Sequence, residues 1–458
     1  MPQGEVSYFH SVRLETDRCK GCTNCIKRCP TEAIRVRDGK AKIIEERCID
    51  CGECIRVCQN HAKVAVTDTL ARLAEFDYNI ALPAPSLFGQ FRGDRSPARV
   101  LAALIELGFD DVFEVALAAD AVTVAIREAL KKDTRPRPLI GSACPAVIRL
   151  LQVRFPGLLG RIVDVESPME IAARLARQRA SAATGISPER IGTFFISPCP
   201  AKMTAAKQPV GQERSAVSGV ISIATIYPDI LAKLAGAACV PALQRASGLG
   251  LGWGRAGGEC QAIGAGSLLQ VDGIHSVIDV LEEIEKGKLG EVDYLEAQAC
   301  IGGCIGGPLV VENPFIARVR LRTLAAAVSG EISKDALDVG SAGYRDGSLR
   351  INYRIEPRPV LKLDDDVARA IAKMERLEET VKTLPGLDCG SCGSPSCRAL
   401  AEDIVRGTAV ETDCVFRLRD RVQELAEEVL LLARKVPPAM GTRAPRPKTG
   451  PAEDGGDQ

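Results

Sequence analysis

A cysteine spacing that occurs twice near the N-terminus constrains this chain more than any other feature. Cys19, Cys22, Cys25 and Cys29 are followed 29 residues later by Cys48, Cys51, Cys54 and Cys58 in the same CxxCxxCxxxC arrangement. Three thiolates at CxxCxxC wrap three corners of a cubane from one loop, and the fourth, beyond a three-residue gap, serves the other cluster. Cys19, Cys22, Cys25 and Cys58 therefore form one [4Fe–4S] ligand set, and Cys48, Cys51, Cys54 and Cys29 the other. Zinc or free thiols are the bland alternative.

A third set, Cys389, Cys392, Cys397 and Cys414, lies near the C-terminus among Gly386, Gly390, Gly393 and Pro395. Glycine lets backbone amides come close to sulfur, which suits a loop curling around a metal. A [4Fe–4S] cluster is expected there, with structural zinc as the alternative because four thiolates also suit a tetrahedral site. Of the 18 cysteines, six remain: Cys144, Cys199, Cys239, Cys260, Cys300 and Cys304. Four of these lie in Gly/Pro-containing loops: GSACP (141–145), SPCPAK (197–202) and EAQACIGGCIGGP (296–308). Each follows a short apolar run (138–140, 191–196 and 292–295) that reads as a buried strand. Loops leaving the carboxyl ends of strands are where an open α/β sheet assembles a site.

Length and charge exclude several classes. A chain of 458 residues with 46% hydrophobic content supports a large core and several domains. Lys plus Arg equals Asp plus Glu at 59 each, so no basic field would recruit nucleic acid or anionic membrane. Neither an export segment nor a long apolar span is read, and the expected location is the cytoplasm, where thiols stay reduced and serve metals. With only His10, His61 and His275, mixed Cys/His zinc sites and histidine relays have little material.

Residues 11–68 resemble bacterial ferredoxins, with Pro30 after the fourth cysteine and short apolar alternations at Ile34, Val36, Ile43 and Ile44. The C-terminal set is similar to the small four-cysteine iron–sulfur domain of some electron-transfer and corrinoid proteins. The three central loops, in their order, are similar to the signature loops of the [FeFe]-hydrogenase catalytic domain, over roughly residues 75–320. That resemblance implies that Cys144, Cys199, Cys300 and Cys304 ligate a cubane, with Cys304 bridging to a two-iron unit bearing CO and cyanide. It also implies that Lys202 donates to a cyanide and that Pro85 and Ser86 line the pocket. A buried lysine is physically suited to charge-assisted donation to an anionic ligand.

The departures carry information too. Fast hydrogenases have a proton-relaying cysteine where this chain has Ala143. Two flanking methionines are replaced by Ser197 and Gln298, the glutamate closing the second loop falls at Ala205, and an acidic pair on the proton route aligns with Ala125 and Ile126. A positioned acid or base contributes about 10²- to 10⁴-fold, so slow turnover is expected. The pattern resembles sensory-type hydrogenases, some of which continue into a PAS domain; this chain is expected instead to signal through a separate protein.

The fold class expected is α/β: a ferredoxin-like α+β head at 1–70, a hydrogenase-type α/β domain at 71–325, and a connector at 326–384 with a strand pair near 345–357 and a helix. A small C-terminal iron–sulfur domain with helices at 385–435 and a disordered tail at 436–458 complete it. Three [4Fe–4S] clusters in the terminal modules and one H-cluster, a cubane joined to a diiron unit, are the expected cofactors. Expected partners are H₂ and protons, a redox partner such as ferredoxin, a kinase or phosphatase, and a second copy. The alternative is an electron carrier or cluster-assembly factor that keeps only the cubane. The helical stripes Val367, Ile371, Met374, Leu377, Val381 and Leu418, Val422, Leu425, Val429, Leu432 are expected to pack on the chain's own core, with a helix pair that docks a kinase, a phosphatase or a second copy as the alternative. The glycine-rich stretch 248–258 is assigned to the pocket wall, Cys239 and Cys260 to buried small residues, and His61 to the surface.

Overall fold

The computed structural model describes residues 8–93, 96–328, 330–435 and 438–441. The chain divides into two units, Met1–Asp365 with Gly393–Pro395, and the remainder from Asp366.

The head is built from two hairpin-like pairings. Strand β1 (Val12–Leu14) pairs antiparallel with β4 (Lys63–Ala65), and β2 (Ile34–Arg37) with β3 (Lys40–Ile43). Period-2 burial turns Val12, Ile34 and Ala41 inward, where they pack with Ile26, Ala62 and several of the cysteines. Two four-residue helices, Asn24–Lys27 and Glu53–Arg56, present the third cysteine of each set.

The central domain contains two parallel sheets. Strands β5 (Tyr78–Pro83), β6 (Asp111–Val112), β8 (Ile191–Ser197) and β9 (Gly219–Ser222) stand in the order β6-β5-β8-β9. Strands β7 (Leu139–Ile140), β10 (Leu268–Asp272) and β11 (Tyr294–Gln298) stand as β10-β11-β7. All seven residues of β8 and all five of β11 are buried, the continuous burial of parallel strands covered on both faces by helices. The covering helices include Val115–Lys132 and Pro168–Thr184, each with a wide alanine-rich buried face. Helix Lys334–Asp346 approaches Val115–Lys132 so closely that a Cβ on Gly340 would lie 2.5 Å from the Ala121 carbonyl oxygen.

Two expectations about the connector and the helices fail. Among the described residues of 326–384 there is no strand; the predicted pair near 345–357 reduces to an isolated antiparallel bridge between Val165 and Arg350. The turn there serves the central domain instead, with the Ile351 amide donating to the Asp164 carbonyl at 3.0 Å. In the second unit, helix Val367–Thr383 buries only Leu377 and Thr380, and packs its C-terminal half on helix Cys397–Val405. Helix Val415–Arg434 buries none of its residues, so its apolar stripe is not core. The tail expected over 436–458 lies outside the described residues apart from 438–441, which include a 3₁₀ turn at Pro438–Met440. No helix among the described residues is long and apolar enough to cross a membrane.

Candidate metal centre

The two head sets close in the crossed pattern. One small cavity is lined by Cys19, Cys22, Cys25 and Cys58, and a second by Cys29, Cys48, Cys51 and Cys54. Equivalent backbone donors complete both: the Ala33 amide donates to Cys29 Sγ and the Ala62 amide to Cys58 Sγ, each at 3.2 Å. Burial pushes Cys25 up to about 11, and neighbouring thiols add to the same effect, so metal binding here must release protons.

In the central domain, three loops leave the carboxyl ends of β7, β8 and β11 and meet. Cys144 caps helix Pro145–Arg154, Cys199 caps helix Pro200–Lys207, and Cys300 and Cys304 follow β11. All four line one cavity of about 90 Å³ with Pro85, Lys202, Trp253, Glu259 and Gln298. Burial and the three neighbouring cysteines push Cys199 far up, and burial brings Cys300 to about 11 and Cys304 to about 12. A cluster of thiols that cannot ionise alone is matched to a polynuclear cation.

The third loop owes its path to glycine. Gly303, at φ +89°, would put a Cβ 2.3 Å from Gln298 Oε1, and a Cβ on Gly307 would lie 2.2 Å from the Pro198 carbonyl oxygen. Loops two and three are thereby locked together. The Lys202 ammonium donates to the Ala143 carbonyl at 2.9 Å, tying loop one to loop two.

The replaced positions behave differently from one another. Ser197 turns back on its own loop, its hydroxyl donating to the Cys199 carbonyl at 2.9 Å, and does not line the cavity. Gln298 does line it, and its buried Oε1 has no partner among the described residues. Ser86 is fully buried and its hydroxyl has no partner among the described residues, but the cavity wall at that point is Pro85. Ala143 faces both this cavity and an adjoining one of about 60 Å³, whose lining includes Ala205, Glu166 and Glu170. Ala125 and Ile126 are core residues of a helix and offer no proton-carrying atom.

Sequence reasoning missed a buried acidic cluster on the cavity wall. Glu259 follows the glycine-rich stretch on helix Gly258–Ile263 and lines the cavity. Tyr294 donates its hydroxyl to Glu259 Oε1. Glu296, the first residue of the third loop's motif, accepts from the Gly257 and Cys260 amides at 2.8 Å each. Burial, reinforced by Glu296, pushes Glu259 up to about 8. The only sequence signals were a carboxylate directly after Gly257-Gly258 and the glutamate opening EAQAC. Cys260 is half-buried beside Glu296, whereas Cys239 is exposed, so the expectation of a buried small residue fails for Cys239. His61 is exposed as expected, while His10 is buried and pairs with Asp50 at 2.9 Å beside Cys48.

The head meets this centre directly. Gly52, inside the second cysteine set, would place a Cβ 2.4 Å from Pro308, and Arg56 donates to the Gly306 carbonyl at 2.7 Å. In the second unit, Cys389 and Cys392 flank Gly390, which sits at φ +78°, Cys397 opens a helix, and Cys414 caps the next.

The family described as "Iron only hydrogenase large subunit, C-terminal domain" matches residues 77–268, a 4Fe-4S dicluster domain matches 11–59, and an Fe–S cluster family matches 384–416. The chain is 28% identical over 228 residues to the periplasmic [Fe] hydrogenase large subunit of Nitratidesulfovibrio vulgaris, covering 45% of this chain and 54% of that protein. It is 24% identical over 290 residues to iron hydrogenase 1 of Clostridium pasteurianum, covering 53% and 50%. A cytosolic Fe–S cluster assembly factor of Aspergillus flavus is 33% identical over 88 residues, covering 18% and 16%. A solved [FeFe]-hydrogenase from Chlamydomonas reinhardtii aligns at TM-score 0.47 and 16% identity, covering 64% of this chain and 98% of that one. The chain thus spans about half the length of the two hydrogenases it matches.

Proposed function

The chain belongs to the iron-only hydrogenase large-subunit family, with iron–sulfur domains on either side, and from this we propose that it interconverts H₂ with two protons and two electrons, slowly, to report hydrogen or redox state. The observation that carries the reading is the meeting of Cys144, Cys199, Cys300 and Cys304 with Lys202 on one cavity.

The residues fit an H-cluster. The four cysteines would hold the cubane, with Cys304 also serving the diiron unit, and Gln298 Oε1, without a partner among the described residues, supplies a polar atom in a mostly apolar wall. When bound, the diiron unit supplies the hydride and proton chemistry. The protein's part is to orient and exclude. Pro85, Val115, Phe195 and Trp253 keep the cavity apolar, and Lys202 stands at its edge as the charged donor. Burial favours the protonated form of Glu259, which stands where a proton can be held in place of the thiol that Ala143 lacks. Electrons would pass through the set containing Cys51 to the head, and the four-cysteine module of the second unit would hold a further cluster.

A cytoplasmic location, a ferredoxin-like electron partner and a signalling partner belong to this proposal. The second reading, a carrier or assembly factor holding only the cubane, draws on Ala143 and Ser197. The test compares H₂ uptake with an artificial acceptor in the wild type and in Ala143→Cys. A faster variant supports the missing-relay account of slow turnover; an unchanged rate argues against it.

A further inference from the structure

The duplicated head contains its own control. Adding 29 to each residue number of the first half gives its counterpart in the second, and the backbones agree closely. The 3₁₀ turns Thr16–Arg18 and Glu45–Arg47 correspond, Glu32 and His61 share φ +49°, and Ala33 and Ala62 make the same amide-to-sulfur bond at the same distance.

Against that matched frame, four wall positions differ in charge, and all four leave the cavity of Cys19, Cys22, Cys25 and Cys58 the more positive: Lys20 against Ile49, Gly21 against Asp50, Asn24 against Glu53, and Lys63 against Ile34. Lys20 is exposed, whereas Lys63 is buried. Ile34 lines the cavity of Cys29, Cys48, Cys51 and Cys54; its counterpart, Lys63, lines the cavity of Cys19, Cys22, Cys25 and Cys58. Both are buried, at 3% and 2% exposure, and the Lys63 ammonium has no hydrogen-bond partner among the described residues. Burying a cation without a partner is costly, so a partner at this cavity is what the position calls for. Its charge acts on Cys19 and Cys25 of that cavity and also on Cys54 of the other. Lys40, more exposed, adds a further cation by donating to the Cys19 carbonyl at 2.8 Å.

We infer that Lys63 is a positioning residue for electrons: it makes the cluster held by Cys19, Cys22, Cys25 and Cys58 the higher-potential member of the head pair. The inference rests on the reading of both head sets as [4Fe–4S] sites. A one-electron reduction adds a negative charge to the cluster, and a fixed cation at its surface favours that added charge, raising the potential. The second cavity is the one next to the central loops, through Gly52 against Pro308 and Cys51 in the apolar cluster with Cys144 and Cys199. Electrons leaving the central site therefore meet the cluster beside Ile34 first and come to rest on the one beside Lys63. The head is biased towards accepting electrons and holding them away from the site, which suits a chain that reports on H₂ more than one that evolves it.

The test is a potentiometric titration followed by electron paramagnetic resonance on the full-length, cluster-loaded protein, comparing wild type, Lys63→Met and the mirror variant Ile34→Met. Lys63→Met is expected to lower one midpoint so that its electron occupancy falls at least tenfold relative to its neighbour, equivalent to about 59 mV for one electron. Ile34→Met leaves both midpoints in place. Unmoved midpoints in Lys63→Met, or an equal shift in Ile34→Met, overturn the inference. If Lys63→Met loses iron, Lys63→Gln carries the same expectation, since it removes the charge and keeps a donor. Failure of the underlying reading is separately visible: iron and acid-labile sulfide in the wild type would then fall short of two cubanes in the head before any potential is read.

Discussion

Replacing Glu259 with glutamine isolates what the carboxyl on the cavity wall contributes. Burial, reinforced by Glu296, raises its pKa from 4.5 to about 8, so the folded chain holds this proton more tightly than the unfolded chain does. The sign of the stability effect follows. Between pH 4.5 and 8 the unfolded chain has released this proton and the folded chain has kept it, so folded-state stability falls as pH rises, by at most about 1.4 kcal/mol per unit. Coupling to Glu296 spreads that slope over both groups. Glu259→Gln keeps the shape and removes the titration. In denaturant unfolding of the iron-free chain, the variant should gain on the wild type between pH 5 and pH 8. In the loaded protein, loss of a positioned proton carrier should lower H₂ uptake about 10²- to 10⁴-fold with iron content unchanged. A variant with the wild-type rate and the wild-type pH dependence of stability would refute the role.

Two further expectations concern the central site. In protein produced without the diiron unit, Cys199→Ser should remove about four irons per chain and leave the head clusters, since among the cavities described Cys199 lines the central one; iron and sulfide analysis reads this directly. Gly307→Ala should drive a Cβ into the Pro198 carbonyl, 2.2 Å away, lowering stability by about 1–3 kcal/mol and emptying the central site. Gly160→Ala, with nothing within 4 Å, is the matched neutral change, and thermal unfolding compares the two.

The cysteine sets were legible because ligand spacing is a local code: a loop presenting three thiolates must be CxxCxxC whatever surrounds it. The crossing of Cys29 and Cys58 between cavities followed from the same rule. The strands before the three central loops were legible for a related reason, since β8 is buried along its whole length and reads as one apolar run. What escaped was set by neighbours distant in sequence. Glu259 is a cavity residue only because Tyr294, 35 residues away, holds it there. Lys63 looks like a surface lysine on a short strand until the duplicated frame turns it inward. The stripe on helix Val415–Arg434 has the periodicity of a buried face, yet periodicity fixes only that the apolar residues share a side and cannot say that anything covers it. The strand pair predicted near 345–357 failed because those residues are recruited one bridge at a time by the central domain.

The central claim is that the cavity of Cys144, Cys199, Cys300 and Cys304 holds a diiron unit as well as a cubane. Infrared spectroscopy tests it most directly, on protein purified without oxygen after coexpression with the proteins that build that unit. The account predicts metal-bound CO and cyanide bands that shift under H₂ and vanish in Cys304→Ser. A wild-type spectrum with no such bands, in protein whose iron analysis shows the central cubane in place, would contradict it and leave a cubane-only electron carrier.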